Sequence, residues 1–137
     1  MVDGIDNKPK AKIDRLKAIV ANGDGSYVDD AWYELGKSYI SQQRYKDGAT
    51  TLQEFVTTDT LSPYYVAALS DLALAYYNLG RKDDARGCYE RVVDYDPQSA
   101  AALEAIRGIR EIYVSQGRVD EYFAYAERKG LQSDMSA

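Results

Sequence analysis

The sequence predicts an all-α fold of antiparallel helix pairs, about three hairpins preceded by one leading helix. The first observation behind this is self-similarity at an offset of 37 residues: Trp32, Leu69 and Ile106 align, as do Leu35, Leu72 and Ile109, and Tyr39, Tyr76 and Tyr113. The second is spacing, because within each unit these three positions fall three and four residues apart and so share one helical face. The third is punctuation at the same offset. Gly80-Arg81 and Gly117-Arg118 supply the permissive backbone that ends a helix, with Gln43-Arg44 at the matching place in the first unit. Beyond that turn a second inward set follows, Gly48, Ala85 and Tyr122, then Leu52, Tyr89 and Ala126. Each unit therefore reads as two amphipathic helices joined by a tight turn.

The elements follow in order. A leading helix is expected over Lys10 to Asn22, with Leu16, Ile19 and Val20 standing ahead of Ser26 as Leu52, Phe55 and Val56 stand ahead of Ser62. It looks like the second half of a hairpin whose first half is absent, which means either a cap or, as the favoured reading, a chain cut from a longer array. Ser26, Ser62 and Ser99 are N-cap residues for helices reaching Gln42, Leu79 and Gln116. Asp29 imitates a capping box with Ser26, and Pro63 suits a first turn. The return helices run Tyr45 to Thr58, Lys82 to Tyr95 before the Asp96-Pro97 break, and Val119 to Lys129. The expected organisation is a disordered segment 1–9, a repeat domain 10–131 with units about 26–61, 62–98 and 99–131, and a flexible tail 132–137.

Composition narrows the chemistry. At 137 residues the chain fits one domain, and 17 basic against 22 acidic residues give a net charge of −5, which opposes a phosphate backbone and argues against nucleic acid. No apolar run reaches the roughly 20 residues that span a bilayer, and the start lacks signal-peptide character. There is no histidine and one cysteine, Cys88, so the usual general base, a thiolate cluster and an internal disulfide are missing. Cys88 reads as a structural thiol. Asn22-Gly23-Asp24-Gly25-Ser26 hints at a calcium loop, but Tyr27 and Tyr33 stand where that loop needs Gly and Glu. Asp29-Asp30 and Asp83-Asp84 sit at helix starts and complement the helix dipole. No enzyme activity, cofactor or metal is expected.

Trp32, Leu35, Gly36 and Tyr39, followed in the next unit by Leu72, Tyr76, Gly80, Ala85, Tyr89 and Pro97, resemble the tetratricopeptide repeat. The resemblance covers about Ser26 to Lys129. It implies a right-handed superhelix of antiparallel helix pairs serving as a non-catalytic protein-binding scaffold. Departures are the offset of 37 against the usual 34, Gly48 for the small Ala, Thr60 for Pro, and Tyr122 where Ala is usual. The stretch 26–36 looks like repeats of bacterial envelope proteins, and 117–127 is similar to the C-terminal segment of large multi-repeat bacterial proteins of this superfamily. That narrower likeness implies the C-terminal part of a larger bacterial protein in the periplasm or cell envelope; without it, the cytoplasm is expected.

In a stacked array the first helices line the concave side. Their non-inward residues are the candidate contacts for a protein or peptide partner: Tyr33, Lys37, Ile40 and Ser41, then Ser70, Leu74, Tyr77 and Asn78, then Arg107, Glu111, Val114 and Ser115. Tyr33, Lys37, Tyr77 and Arg107 lead, because Tyr and Arg dominate interface hot spots. A clamp for a C-terminal carboxylate is disfavoured, since Asp71 and Glu111 would repel it. Tyr122, Phe123 and Tyr125 crowd the last helix with aromatic surface. They predict an alternative role as an assembly or terminal capping module, with a homo-oligomer or interdomain contact there.

Overall fold

The computed structural model describes residues 3–23 and 28–131, with side chains from Lys8 onward. Among the described residues seven helices follow one another: α1 (Asp3–Asn22), α2 (Val28–Ser41), α3 (Tyr45–Thr58), α4 (Tyr65–Asn78), α5 (Lys82–Tyr95), α6 (Ala100–Ser115) and α7 (Val119–Arg128). Among the described residues there is no strand. Each helix packs on the next, and α2, α4 and α6 also touch in sequence, so the first helices of the hairpins form one continuous face.

Repeat register governs the core. Leu35, Leu72 and Ile109 are buried, as are Tyr39, Tyr76 and Tyr113, and Gly48, Ala85 and Tyr122 on the return helices. Leu69 is fully buried while its equivalents Trp32 and Ile106 are half-buried, because α4 lies between two neighbouring first helices and α2 and α6 each have one.

Two helix starts differ from expectation. Helix α1 starts at Asp3 rather than Lys10, running through Pro9, whose missing N–H removes one backbone bond without ending the helix here. Helix α4 starts at Tyr65 rather than Ser62. Ser62 is buried and accepts the Tyr64 N–H on its hydroxyl at 3.1 Å, so it caps a turn ahead of the helix. The expected capping box of Ser26 with Asp29 lies outside the described residues. The Asp29 carboxyl meets Asp59 and Ser62, and burial and the neighbouring Asp59 raise its pKa above the ordinary range. The expected tail 132–137 and the loop 24–27 also lie outside the described residues. Ser99 behaves as expected, its hydroxyl accepting from the Ala102 N–H at 3.0 Å.

The turn inside each hairpin is a repeated device. Gln43, Gly80 and Gly117 have φ of 61°, 78° and 70°. That left-handed residue lets the next N–H, from Arg44, Arg81 or Arg118, reach back to the carbonyl of Tyr39, Tyr76 or Tyr113 at 2.9, 2.9 and 2.8 Å. Each guanidinium then lies over the ring of the same tyrosine, at 4.6, 4.6 and 5.1 Å, and binds the carboxylate three residues on, Asp47, Asp84 or Glu121. Arg118 holds the Glu121 carboxyl below its usual range.

One stability prediction follows from the turn that lacks glycine. A side chain held at positive φ costs roughly 1–2 kcal/mol, against the smaller entropic cost of ordering glycine, so Gln43→Gly is expected to stabilise by about 0.5–1 kcal/mol. Thermal unfolding followed by circular dichroism checks this, with a rise of roughly 2–5 °C expected; an unchanged or lowered midpoint contradicts it.

Candidate functional site

The upstream half of the first-helix face is an aromatic and charged cluster. Tyr33 projects from α2 and stacks on Tyr64, ring centroids 5.0 Å apart and planes 17° from parallel. The Lys37 ammonium sits 5.2 Å from the Tyr33 centroid. Helix α4 brings Asp71 against the Tyr33 hydroxyl, and burial with that carboxylate pushes the Tyr33 pKa up to about 12. Asp71 is itself raised by burial, which outweighs the Tyr33 hydrogen bond and the Lys37 charge. One of its oxygens is buried without a hydrogen-bond partner. Ile40 is half-buried and packs on the core beside Gly48, where an added Cβ would lie 2.8 Å from the Ile40 Cγ1.

The downstream half is a cleft of about 200 Å³ lined by Leu74, Tyr77, Tyr89, Gly108, Glu111 and Ile112. Gly108 creates it. A Cβ there would come within 2.6 Å of the Tyr89 ring, so only glycine lets that ring lie flat against α6 as the cleft floor. Leu74 and Tyr77 are 44% and 37% exposed on its wall, large apolar side chains left open to solvent. The Tyr77 hydroxyl points to Glu111 at 3.5 Å, and the Lys82 ammonium lies 5.5 Å from the Tyr77 centroid.

Of the expected contact residues, the structure brings Leu74, Tyr77 and Glu111 together and sets Tyr33 with Lys37. Ser115 joins Tyr77 through the Lys82 ammonium, which donates to the Ser115 hydroxyl at 3.3 Å. Asn78 folds its amide back onto the Leu74 carbonyl at 2.9 Å, and Arg107 pairs with Glu104 at 3.1 Å on its own helix. Two of the three rings expected to form a contact surface on α7 are corrected by burial: Tyr122 and Tyr125 are each 1% exposed inside the last hairpin, and only Phe123, at 40%, faces outward. The Tyr125 hydroxyl is buried without a hydrogen-bond partner.

Sequence reasoning missed Tyr64 and Gly108, read Tyr89 only as an inward residue, and assigned Asp71 only a repelling part. A signal for Gly108 was present, since glycine stands mid-helix where the 37-residue register has Glu34 and Asp71. Tyr64 carried none, because its loop position shows its partner only after folding. Cys88 is buried, and burial pushes its pKa up to about 11, which suits a structural thiol. Among the described residues no three His, Cys, Asp or Glu side chains gather as metal ligands, and no helix is long and apolar enough to cross a membrane.

Comparison with known proteins agrees with this architecture. Tetratricopeptide repeat profiles match residues 30–59 and 66–99. Among solved structures, MamA is 25% identical with a TM-score of 0.71, over 88% of this chain and 66% of that one, so this chain spans just under two thirds of its length. A Podosopora anserina protein with nearly identical TPR-like repeats of kinesin-light-chain type shares the fold at 18% identity and a TM-score of 0.67, covering 90% of this chain and 66% of that one. The comparison with curated proteins returns no match. Proteins built from such repeats are in general non-catalytic interaction scaffolds. With its hairpins, superhelical stacking and two successive profile matches, the chain carries tetratricopeptide repeats in a TPR-like helical fold.

Proposed function

We propose that the chain is a non-catalytic scaffold that holds an extended segment of a protein partner along the face formed by α2, α4 and α6. The observation that carries this reading is the Leu74–Tyr77–Glu111 cleft, where a floor made possible by Gly108 stands open beside apolar wall residues. An apolar side chain of the partner fills the cleft, and burying one is worth about 1.5–3 kcal/mol. A donor on the next residue satisfies Glu111. The Tyr33–Tyr64 stack with Lys37 above it offers a second contact upstream, rigid because both rings are already packed. Since the helices are held by their own core, the partner supplies most of the ordering entropy.

Peptides selected from a random display library on the wild-type chain test this. Their affinity for Leu74→Glu and for Tyr77→Ala, both on exposed positions, is expected to fall at least about tenfold, as for residues central to an interface, with unchanged circular dichroism. Peptides that bind wild type and both variants equally would remove this face from the function.

A further inference from the structure

A second cleft, of about 470 Å³, opens on a different part of the molecule, between α3 and the turn that joins α4 to α5. None of the first-helix candidates lines it. The repeat itself supplies the comparison that interprets it. One unit later the corresponding place is occupied by Arg86, whose guanidinium donates to the Glu90 carboxylate at 2.7 Å and to the Tyr113 hydroxyl at 2.9 Å, and lies 4.7 Å from the Tyr113 centroid. Tyr113 thus carries two guanidinium groups, from Arg86 and Arg118. Its equivalent Tyr76 carries only Arg81, because Ala49 stands 37 residues before Arg86.

Oxygen acceptors from α3 line one wall of this place. Thr50, Thr57 and Thr58 each spend their hydroxyl proton on the carbonyl four residues back, at 3.0, 2.7 and 2.9 Å, and so present lone pairs. The Gln53 amide gives a proton to the Thr57 hydroxyl at 3.2 Å, and its oxygen accepts from the Tyr76 hydroxyl at 3.0 Å. Glu54 adds a carboxylate. Two cations line the cleft as well: Arg81 is already bound to Asp84 at 2.7 Å, and Lys46 replaces the Asp83 that lies 3.7 Å from Arg86 in the next unit. A planar group with five donors and no acceptor matches such a set. We infer that this cleft seats an arginine side chain of a protein partner, placed over Tyr76 and among the oxygens of α3, with the neutral Gln53 standing where Glu90 receives Arg86 in the next repeat.

The inference is independent of the first-helix face, and its test separates the two. Titrating the full chain with Ac-Gly-Arg-Gly-NH2, Ac-Gly-Lys-Gly-NH2 and Ac-Gly-Glu-Gly-NH2 is followed by NMR at the Gln53 side-chain amide and the Thr50, Thr57 and Thr58 methyls. The arginine peptide is expected to give saturable shifts there, with a Kd in the range of about 1–10 mM for one side chain, at least about fivefold tighter than the lysine peptide. Lys46→Asp, which restores the acid of the next unit, tightens the arginine peptide several-fold. Ala49→Arg fills the cleft from within and abolishes the shifts while the chain melts no lower than wild type. Should Ala49→Arg fail to fold, peptide selectivity and Lys46→Asp still decide. Absence of saturable shifts, equal binding of the lysine peptide, or preference for the glutamate peptide would each overturn the assignment.

Discussion

Replacing Tyr122 with alanine is expected to cost about 3–5 kcal/mol, the range for deleting a buried ring, and to lower the unfolding midpoint by roughly 10–20 °C. Its register equivalents are Gly48 and Ala85, residues whose size lets a return helix approach its first helix closely. At the third hairpin the spacing is filled instead by a ring 1% exposed, with Tyr125 equally buried one turn on. Helix α7 has 10 residues where α3 and α5 have 14, so fewer side chains must supply its burial, and the two tyrosines supply most of it. Phe123, between them in sequence and tilted 55° against Tyr122 with centroids 5.8 Å apart, faces outward. Phe123→Ala is therefore expected to cost less than about 1 kcal/mol. Urea unfolding of the two variants decides the matter. Similar costs at both positions, or a larger one at Phe123, would mean that the rings are arranged otherwise.

The fold was legible because it is periodic. Positions that recur every 37 residues and every three to four within a unit identify a helical face, and the glycines at 80 and 117 mark where each hairpin turns. What periodicity conceals is whether an apolar residue is inward because of the repeat or because of its place in the array. Tyr122 looked like surplus surface since its equivalents are small, yet at the last hairpin a large ring fills the space. The proposed interaction face was legible in outline, since outward positions on first helices converge by construction and Leu74, Tyr77 and Glu111 line one cleft. Its detail was not. The cleft depends on what Gly108 omits and on which way the Tyr89 ring turns, and the Asp71 carboxylate lies against Tyr33 only because α2 and α4 touch.

Gly36→Ala is expected to destabilise the chain by about 2 kcal/mol, although alanine is the better helix former by about 1 kcal/mol. The sign depends on one contact. A Cβ at position 36 would stand 2.3 Å from the Leu52 Cδ2 and 2.5 Å from its Cγ. Leu52 is fully buried between the first and second hairpins, so it has no room to swing aside. Because the clash reaches Cγ and not just a terminal methyl, α2 and α3 must separate, and overpacking of this kind typically costs about 1–3 kcal/mol, occasionally more. Gly87 provides the opposite case within the same chain. It lies inside α5 with nothing within 4 Å of an added Cβ, so Gly87→Ala removes chain entropy without a clash and is expected to stabilise by about 0.5–1 kcal/mol. Measured together by chemical denaturation, the two glycine-to-alanine changes should move the midpoint in opposite directions. If Gly36→Ala stabilised as Gly87→Ala does, the close approach of α2 and α3 would be absent, and with it the reason for glycine after Leu35.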